Sequence, residues 1–230
     1  MTLKLKTVYL FLIPVLFQSC LDMGQENVGP IIEPPQMILL KKDSLISGKH
    51  YGVTIGQPSS AAYPGMQDLH DSLEVSYLNL VSNFVTDFRH LEERLPLYSY
   101  MTFDEMTGTS NGVQLWFEDK KLKSIYLNSG KRLGQWPENI SAAEAVREGE
   151  SSEITAGKLK VLQKDSRYSY RFERSMLGVK TLTEAYDPGM EGLPQWYFGY
   201  KVDEKHTNYV YVYFRDDKVD YIIVHHMKTL

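Results

Sequence analysis

The chain has 230 residues, 43% of them hydrophobic, which is enough for one large domain or two small ones. It carries 25 basic and 29 acidic residues, and this net charge of −4 argues against nucleic acid as a partner. A single cysteine rules out a disulfide within the chain, so the fold depends on its hydrophobic core.

The amino terminus has the residue order of a secretory signal. Lys4 and Lys6 precede a run over residues 8–17 that is apolar apart from Tyr9, and Ser19 follows directly before Cys20. About ten apolar residues reach roughly 15 Å as a helix, half the thickness of a hydrocarbon core. We therefore predict that residues 1–19 are a signal peptide that is removed, not a transmembrane helix.

Cys20 lies at the predicted cleavage point. The stretch LFQSC, residues 16–20, resembles the lipobox of bacterial lipoproteins of the Bacteroidetes type, in which the cysteine thiol receives a diacylglycerol. The resemblance implies that the membrane is a partner through a lipid on Cys20. Because Leu21 is not the aspartate of the inner-membrane retention signal, it also implies an outer-membrane, cell-envelope location, facing the periplasm or the cell surface. The alternative is an ordinary signal peptide with an incidental cysteine.

Residues 20–36 are predicted to be a lipidated tether, because residues 21–36 contain two glycines and three prolines and show no helical or strand period. Beyond it we predict a first repeat over residues 37–130, a connecting segment over 131–153 and a second repeat over 154–230. The repeat is visible in VQLWFEDKKLKSIYL (113–127) and VYVYFRDDKVDYIIV (210–224), which align without gaps with five of fifteen positions identical.

Each aligned stretch alternates apolar and polar residues around a charged turn of three residues, 119–121 or 216–218, which is typical of a β-hairpin. A further strand is predicted before each hairpin, over residues 97–103 and 195–202, each beginning close after a proline. The alternation assigns one apolar face of each hairpin to the core. These core positions are Val113, Leu115, Phe117, Ile125 and Leu127 in the first hairpin, and Val210, Val212, Phe214, Ile222 and Val224 in the second.

Three helices are predicted from spacing and capping signals. Apolar residues at intervals of three and four predict a long helix over residues 71–94. A shorter helix is predicted over 176–186, before Asp187, and a brief one over 141–147, where Ser141 and Glu144 have capping-box spacing.

These elements predict an α+β fold of two tandem repeats, each a helix packed on an antiparallel three- to four-stranded β-meander. The element order and the hairpins resemble the tandem modules of secreted β-lactamase inhibitor proteins and of small outer-membrane assembly lipoproteins. That resemblance transfers no functional residue to this chain.

The candidate motifs for catalysis and metal binding lack the structural context that their chemistry requires. Residues 108–112 read G-T-S-N-G, but they lie between two predicted strands, whereas a nucleophile elbow joins a strand to a helix. His225 and His226 are adjacent in a strand, so their side chains point to opposite faces and do not share a metal. We predict no catalytic residues, no metal site and no cofactor.

The outer face of the two hairpins is the candidate binding site. An exposed face of an antiparallel sheet is normally polar, yet this one is rich in aromatic residues. Its members are Trp116, Tyr126, Tyr209, Tyr211, Tyr213 and Tyr221. In one interpretation the outer faces of the two hairpins pack against each other or against the amino-terminal segment. In the other they form an exposed platform for a protein or a glycan.

The sequence therefore predicts a lipid-anchored cell-envelope protein that binds another macromolecule without catalysis, of the inhibitor, immunity or assembly type. The alternative is a glycan-binding lipoprotein of a nutrient-uptake system. An enzyme is a third hypothesis, which needs a pocket where a nucleophile and a base, or two carboxylates, converge.

Overall fold

Ten strands, paired antiparallel throughout, form one continuous sheet in the computed structural model of the chain. The structure describes residues 36–81, 84–106 and 108–230. The predicted signal peptide, Cys20 and nearly all of the tether therefore lie outside the described residues. Strand accounts for 44% of the described residues and helix for 21%, so the fold is mostly β.

The elements follow one another in a regular order along the chain. The strands are β1 (Met37–Leu45), β2 (Lys49–His50), β3 (Val53–Thr54), β4 (Tyr77–Val81), β5 (Tyr98–Asp104), β6 (Val113–Glu118), β7 (Lys121–Leu127), β8 (Arg132–Leu133), β9 (Gln135–Trp136), β10 (Val146–Arg147), β11 (Arg174–Thr181), β12 (Gln195–Lys201), β13 (His206–Arg215) and β14 (Lys218–Thr229). The helices are α1 (Ser59–Gln67), α2 (Leu69–Leu73), α3 (Arg89–Glu92) and α4 (Ser152–Lys164), and 3₁₀ turns lie at Leu95–Leu97, Ser169–Phe172 and Pro188–Met190.

The prediction of two tandem helix-plus-meander repeats is wrong. The large sheet has the order β1-β14-β13-β12-β4-β11-β5-β6-β7-β8. The two three-stranded meanders, β5-β6-β7 and β12-β13-β14, are present, but they are flanks of one sheet. The strands between them cross over: β4 pairs with β12, β11 pairs with β5, and β4 pairs with β11. The parts of the chain before and after residue 130 therefore share one sheet and one core.

Both predicted hairpins are confirmed, with a turn that is shorter than the expected three residues. Each turn has two residues, Asp119 and Lys120 in one hairpin, Asp216 and Asp217 in the other, and all four have positive φ between 49° and 58°. Two successive left-handed residues suit the twist of a hairpin. A register shift follows each turn, so Leu115 still lies opposite Ile125 as predicted.

The long helix predicted over residues 71–94 is wrong. The segment contains α2, the central strand β4 and the short helix α3. In β4 Leu78 and Leu80 are buried while Tyr77 and Val81 are exposed, which is the period of a strand. The apolar stripe at intervals of three and four mixes buried residues such as Leu80 and Leu91 with exposed ones such as Tyr77, so it does not mark one buried face of a helix.

The other two helix predictions are also wrong. Residues 174–181 form strand β11, which lies in the middle of the sheet, and residues 141–147 form a turn followed by β10. The longest helix, α4, was not predicted, although Ser151 caps it by accepting a hydrogen bond from the Ile154 N–H at 3.2 Å.

The hydrophobic core lies on one face of the sheet, beneath α1, α4 and the 3₁₀ turns. Tyr63 of α1 packs edge-on to Trp196 of β12, and Phe172 stacks on Phe103 of β5 with ring centroids 4.9 Å apart. All ten predicted core positions pack in this layer, with Leu127 and Phe214 only partly buried. Residues Gln36–Leu230 contain the whole sheet and its core in one compact unit, which we expect to fold independently of residues 1–35.

Candidate functional site

The side of the sheet opposite α1 and α4 carries an aromatic surface, which we call the open face. Among the described residues no helix packs over it, and its rings are half-buried or exposed. It comprises the six sequence-predicted residues Trp116, Tyr126, Tyr209, Tyr211, Tyr213 and Tyr221, together with Tyr100 and Tyr197.

One row of residues crosses the open face from edge to edge. Following the strand pairing, the row reads Ser44, Ile223, Tyr211, Tyr197, Asn79, Val179, Tyr100, Trp116 and Ser124. From Ile223 on β14 to Trp116 on β6 it crosses six strand spacings, about 29 Å at roughly 4.8 Å per strand. The face is therefore about as wide as a small folded domain.

The rings of the open face stack in pairs across neighbouring strands. Tyr100 and Trp116 have ring centroids 4.2 Å apart. Tyr213 stacks on Tyr221 at 4.4 Å, and Tyr197 stacks on Tyr211 at 5.3 Å. Such pairs hold each ring in a fixed orientation at little cost in conformational freedom.

Two glycines leave the space that two aromatic rings of this face occupy. A Cβ atom at Gly178 would lie 2.5 Å from a ring carbon of Tyr100, and one at Gly199 would lie 2.8 Å from the ring of Tyr209. Glycine in the interior of a strand weakens the strand by itself, and a ring lying across it restores part of the lost packing. The absence of two side chains therefore shapes the surface around Tyr100 and Tyr209.

The open face is uncharged over its centre. Partial burial raises the pKa of the phenols of Tyr100, Tyr211 and Tyr213, so they remain neutral hydroxyl groups at physiological pH. The polar side chains between the rings are neutral as well. They are Ser44, Asn79, Thr102, Gln114, Ser124 and Gln195.

The structure brings the six predicted site residues onto one surface, but not into one cluster. Trp116 and Tyr126 lie on β6 and β7, on the far side of β4 and β11 from the four tyrosines of β13 and β14. Sequence reasoning missed Tyr100 and Tyr197, which link the two groups. The signal was present, because both occupy outward positions of strands that were predicted correctly.

The two hairpin faces do not pack against each other as the first interpretation expects, because they lie side by side in one sheet. Their rings pack only on neighbouring rings within the face, and Trp116 remains 39% exposed. The amino-terminal segment, the other covering element of the first interpretation, lies outside the described residues.

The remaining motifs serve structure. Residues 108–112 join β5 to β6, so Ser110 is not at the start of a helix as a nucleophile elbow requires. His225 lies beside Tyr211 on the open face, whereas His226 on the opposite face bonds Asp43 Oδ2 at 2.8 Å. The acidic neighbours Asp104 and Glu105 pair with arginines of a later segment.

The part of the chain that the structure describes has no credible catalytic motif. Within it, no group of three or more His, Cys, Asp or Glu side chains is arranged to hold a metal ion. The described helices are all too short or too polar to cross a bilayer. Comparison of the chain with models of protein families, with curated proteins and with solved structures gives no significant match.

Proposed function

We propose that this chain is a non-catalytic protein-binding module of the bacterial cell envelope, anchored through a lipid on Cys20, and that its partner protein docks on the open face. The observation that carries the proposal is the uncharged aromatic row crossing the sheet, in which paired rings alternate with serine and asparagine. The inhibitor, immunity and assembly types of binding protein all fit such a surface.

The composition of the row favours a protein partner. Tyrosine, serine, asparagine and glycine are the residues that dominate antibody combining sites, where tyrosine supplies rigid contact area and the small polar groups adapt their hydrogen bonds. Depletion of charge at the centre is likewise typical of the core of a protein interface. On the open face charged side chains lie outside the central row: Lys42 and Lys201 lie toward one end of their strands, Glu118 lies at the β6–β7 turn and Arg132 lies on the edge strand β8.

Glycan capture is the second candidate, and one observation favours it. The exposed indole of Trp116, braced by Tyr100 and flanked by the Gln114 amide on the same strand, is suited to stack on a sugar ring. A glycan that binds to this end of the face alone would leave the tyrosines of β13 and β14 without a role.

The experiment compares the wild type with a triple variant, Trp116→Ser, Tyr211→Ser and Tyr213→Ser. Proteins retained by each tagged form after cross-linking in intact source cells are quantified by mass spectrometry. We expect the triple variant to lose a stoichiometric protein partner while it keeps a cooperative thermal transition, since all three rings project from the surface.

The matched control is Tyr170→Ser, because Tyr170 is a comparably exposed ring that lies outside the open face. Equal loss of the partner in the control would show that the open face is not the docking surface. Loss of the thermal transition in the triple variant would show that its rings belong to the core. Binding of the wild type on a glycan array, abolished by Trp116→Ser alone, would favour the second candidate.

A further inference from the structure

One corner of the sheet exposes a concentration of aliphatic side chains, which we call the apolar corner. It comprises Ile38, Leu39, Leu40, Val202 and Leu230. These are five of the fourteen large hydrophobic side chains that are exposed in the described residues. Large apolar side chains exposed together at one corner of a sheet are a candidate interaction site.

The strand pairing holds the members of the corner together. Ile38 lies opposite Lys228, which lies opposite His206, and the Val202 N–H bonds the His206 carbonyl at 2.8 Å. The Leu230 N–H bonds the Gln36 carbonyl at 2.9 Å, which places Leu230 beside the start of β1.

A register shift in β1 adds to the exposure of the corner. Leu39 pairs with Met227 and Lys41 pairs with His226, so Leu40 is an extra residue without a partner in the ladder. A bulge together with lysines on an edge strand disfavours pairing with another strand edge. The corner is therefore a poor site for β-sheet extension by a second copy of the chain.

Lysines surround the apolar side chains. Residues 36–43, 201–206 and 227–230, which build the corner, contain five lysines and three acidic residues, whereas the whole chain has a net charge of −4. Aliphatic groups that enter the interface between headgroups and acyl chains, with lysines beside them facing anionic headgroups, are the arrangement by which peripheral proteins bind membranes.

The chain outside the described residues leads from this corner. Gln36 is the first described residue, and fifteen residues separate it from Cys20. A lipid on Cys20 would therefore keep the apolar corner, at the start of β1, near the bilayer and raise its local concentration there.

We infer that the apolar corner docks on the lipid surface that carries the anchor, with Leu39 and Leu40 entering the interfacial region. The inference rests on the proposed lipid attachment for its location, but the corner itself is tested without any lipid on the protein. Docking there fixes the orientation of the sheet, with β1 at the membrane and the β6 and β7 end of the open face directed away from it.

The experiment uses residues 36–230, which contain the complete sheet and core. Sedimentation with vesicles of phosphatidylethanolamine and phosphatidylglycerol is measured for the wild type, for Leu39→Ser/Leu40→Ser and for Ile154→Ser/Val161→Ser. The last is a matched control, because Ile154 and Val161 of α4 are 54% and 68% exposed against 51% and 52% for the two leucines. We expect the leucine variant to bind vesicles at least fivefold more weakly and the control to bind like the wild type.

The inference is overturned if the wild type does not sediment with vesicles, or if both variants lose binding equally. It is also overturned if the wild type is a dimer in solution that the leucine variant dissociates, because the corner would then be covered by a second copy. Leu40→Ser alone replaces the double variant should the latter lose its thermal transition, since Leu40 lies outside the ladder.

Failure of this inference is distinguishable from failure of the proposed function. The leucine variant should retain the partner protein in the cross-linking experiment. Conversely, the triple variant of the open face should still bind vesicles.

Discussion

The ring of Tyr100 lies across the backbone of Gly178, so that a Cβ atom at residue 178 would come within 2.5 Å of it. Tyr100 in turn lies 4.2 Å from Trp116, ring centroid to centroid. The position of the Trp116 indole therefore depends on the absence of a side chain two strands away.

Gly178→Ala should displace Tyr100 and disturb its stack on Trp116. Because the strand conformation accepts alanine, we expect a change in stability of no more than about 1 kcal/mol, with a several-fold loss of partner binding. Binding and unfolding by denaturant are measured on the same preparation. Loss of stability in proportion to the loss of binding would contradict a role in shaping the surface.

Gly157→Ala serves as the matched control and makes a prediction of its own. Gly157 lies within α4, and a Cβ atom there would meet nothing within 4 Å. Alanine restricts the unfolded chain and suits a helix, so the free energy of unfolding should rise by about 0.5–1 kcal/mol. Partner binding should not change. A decrease in stability would show that the helix face is more crowded than the structure indicates.

The buried carboxylate of Asp187 joins distant parts of the chain. It accepts hydrogen bonds from Arg94 Nε at 2.6 Å, from the Tyr98 hydroxyl at 2.9 Å and from the Gly189 N–H at 2.8 Å. Asp187→Ala leaves a largely buried guanidinium without its partner, so we expect a loss of about 3 kcal/mol in the free energy of unfolding.

A double-variant cycle tests whether the loss comes from the ion pair. Asp187→Ala should cost less in the background of Arg94→Met than in the wild type, with a coupling energy of about 1 kcal/mol or more. Strictly additive effects in equilibrium denaturation would mean that Asp187 acts through its other hydrogen bonds.

Lys180 of β11 is fully buried beneath α1, with its ammonium group 3.4 Å from the Leu97 carbonyl and over the rings of Tyr63 and Tyr98. Burial lowers its pKa to about 8, although the carboxylates of Glu184 and Asp187 act in the opposite direction. The unfolded chain, with an ordinary lysine pKa of 10.5, binds more protons above pH 8, so the folded state gains stability as pH rises from about 8.

We predict that the wild type gains on the order of 1 kcal/mol between pH 7 and 9.5, and that Lys180→Met shows no such gain. The window stops there because burial also raises the pKa of Tyr63 and Tyr98, whose contribution to stability is lost as the pH rises above the ordinary tyrosine pKa of 10. Equal pH profiles in denaturant unfolding would show that Lys180 reaches solvent.

The sequence predicts the hairpins because the signals that define a hairpin lie within one short stretch of the chain. Alternation in residues 113–127 and 210–224 and the charged turns are properties of short stretches, and they also located most of the open face. The position of β4 in the sheet is not determined by its own sequence. Its five residues are held by pairing with β11 and β12, roughly a hundred residues later, and such long-range pairing overrides the helical stripe through Tyr77 and Leu80.

The same limit explains the other errors. The helix predicted over residues 176–186 rests on the stop signal at Asp187, yet the place of β11 between β4 and β5 is set by partners distant in the chain. The start of α4 had a usable local signal in the cap at Ser151. The sequence alone does not show that Gly178 and Gly199 make room for aromatic rings, because this depends on the register between strands.

Site-specific photo-cross-linking in intact cells tests the central claim most directly. A photoreactive phenylalanine analogue is placed at residue 197, in the centre of the open face, and separately at residue 170, outside it. The account predicts one protein adduct of defined mass from residue 197 and none from residue 170. An adduct from residue 170 alone, or no protein adduct from residue 197 in cells where the chain is abundant, would contradict it.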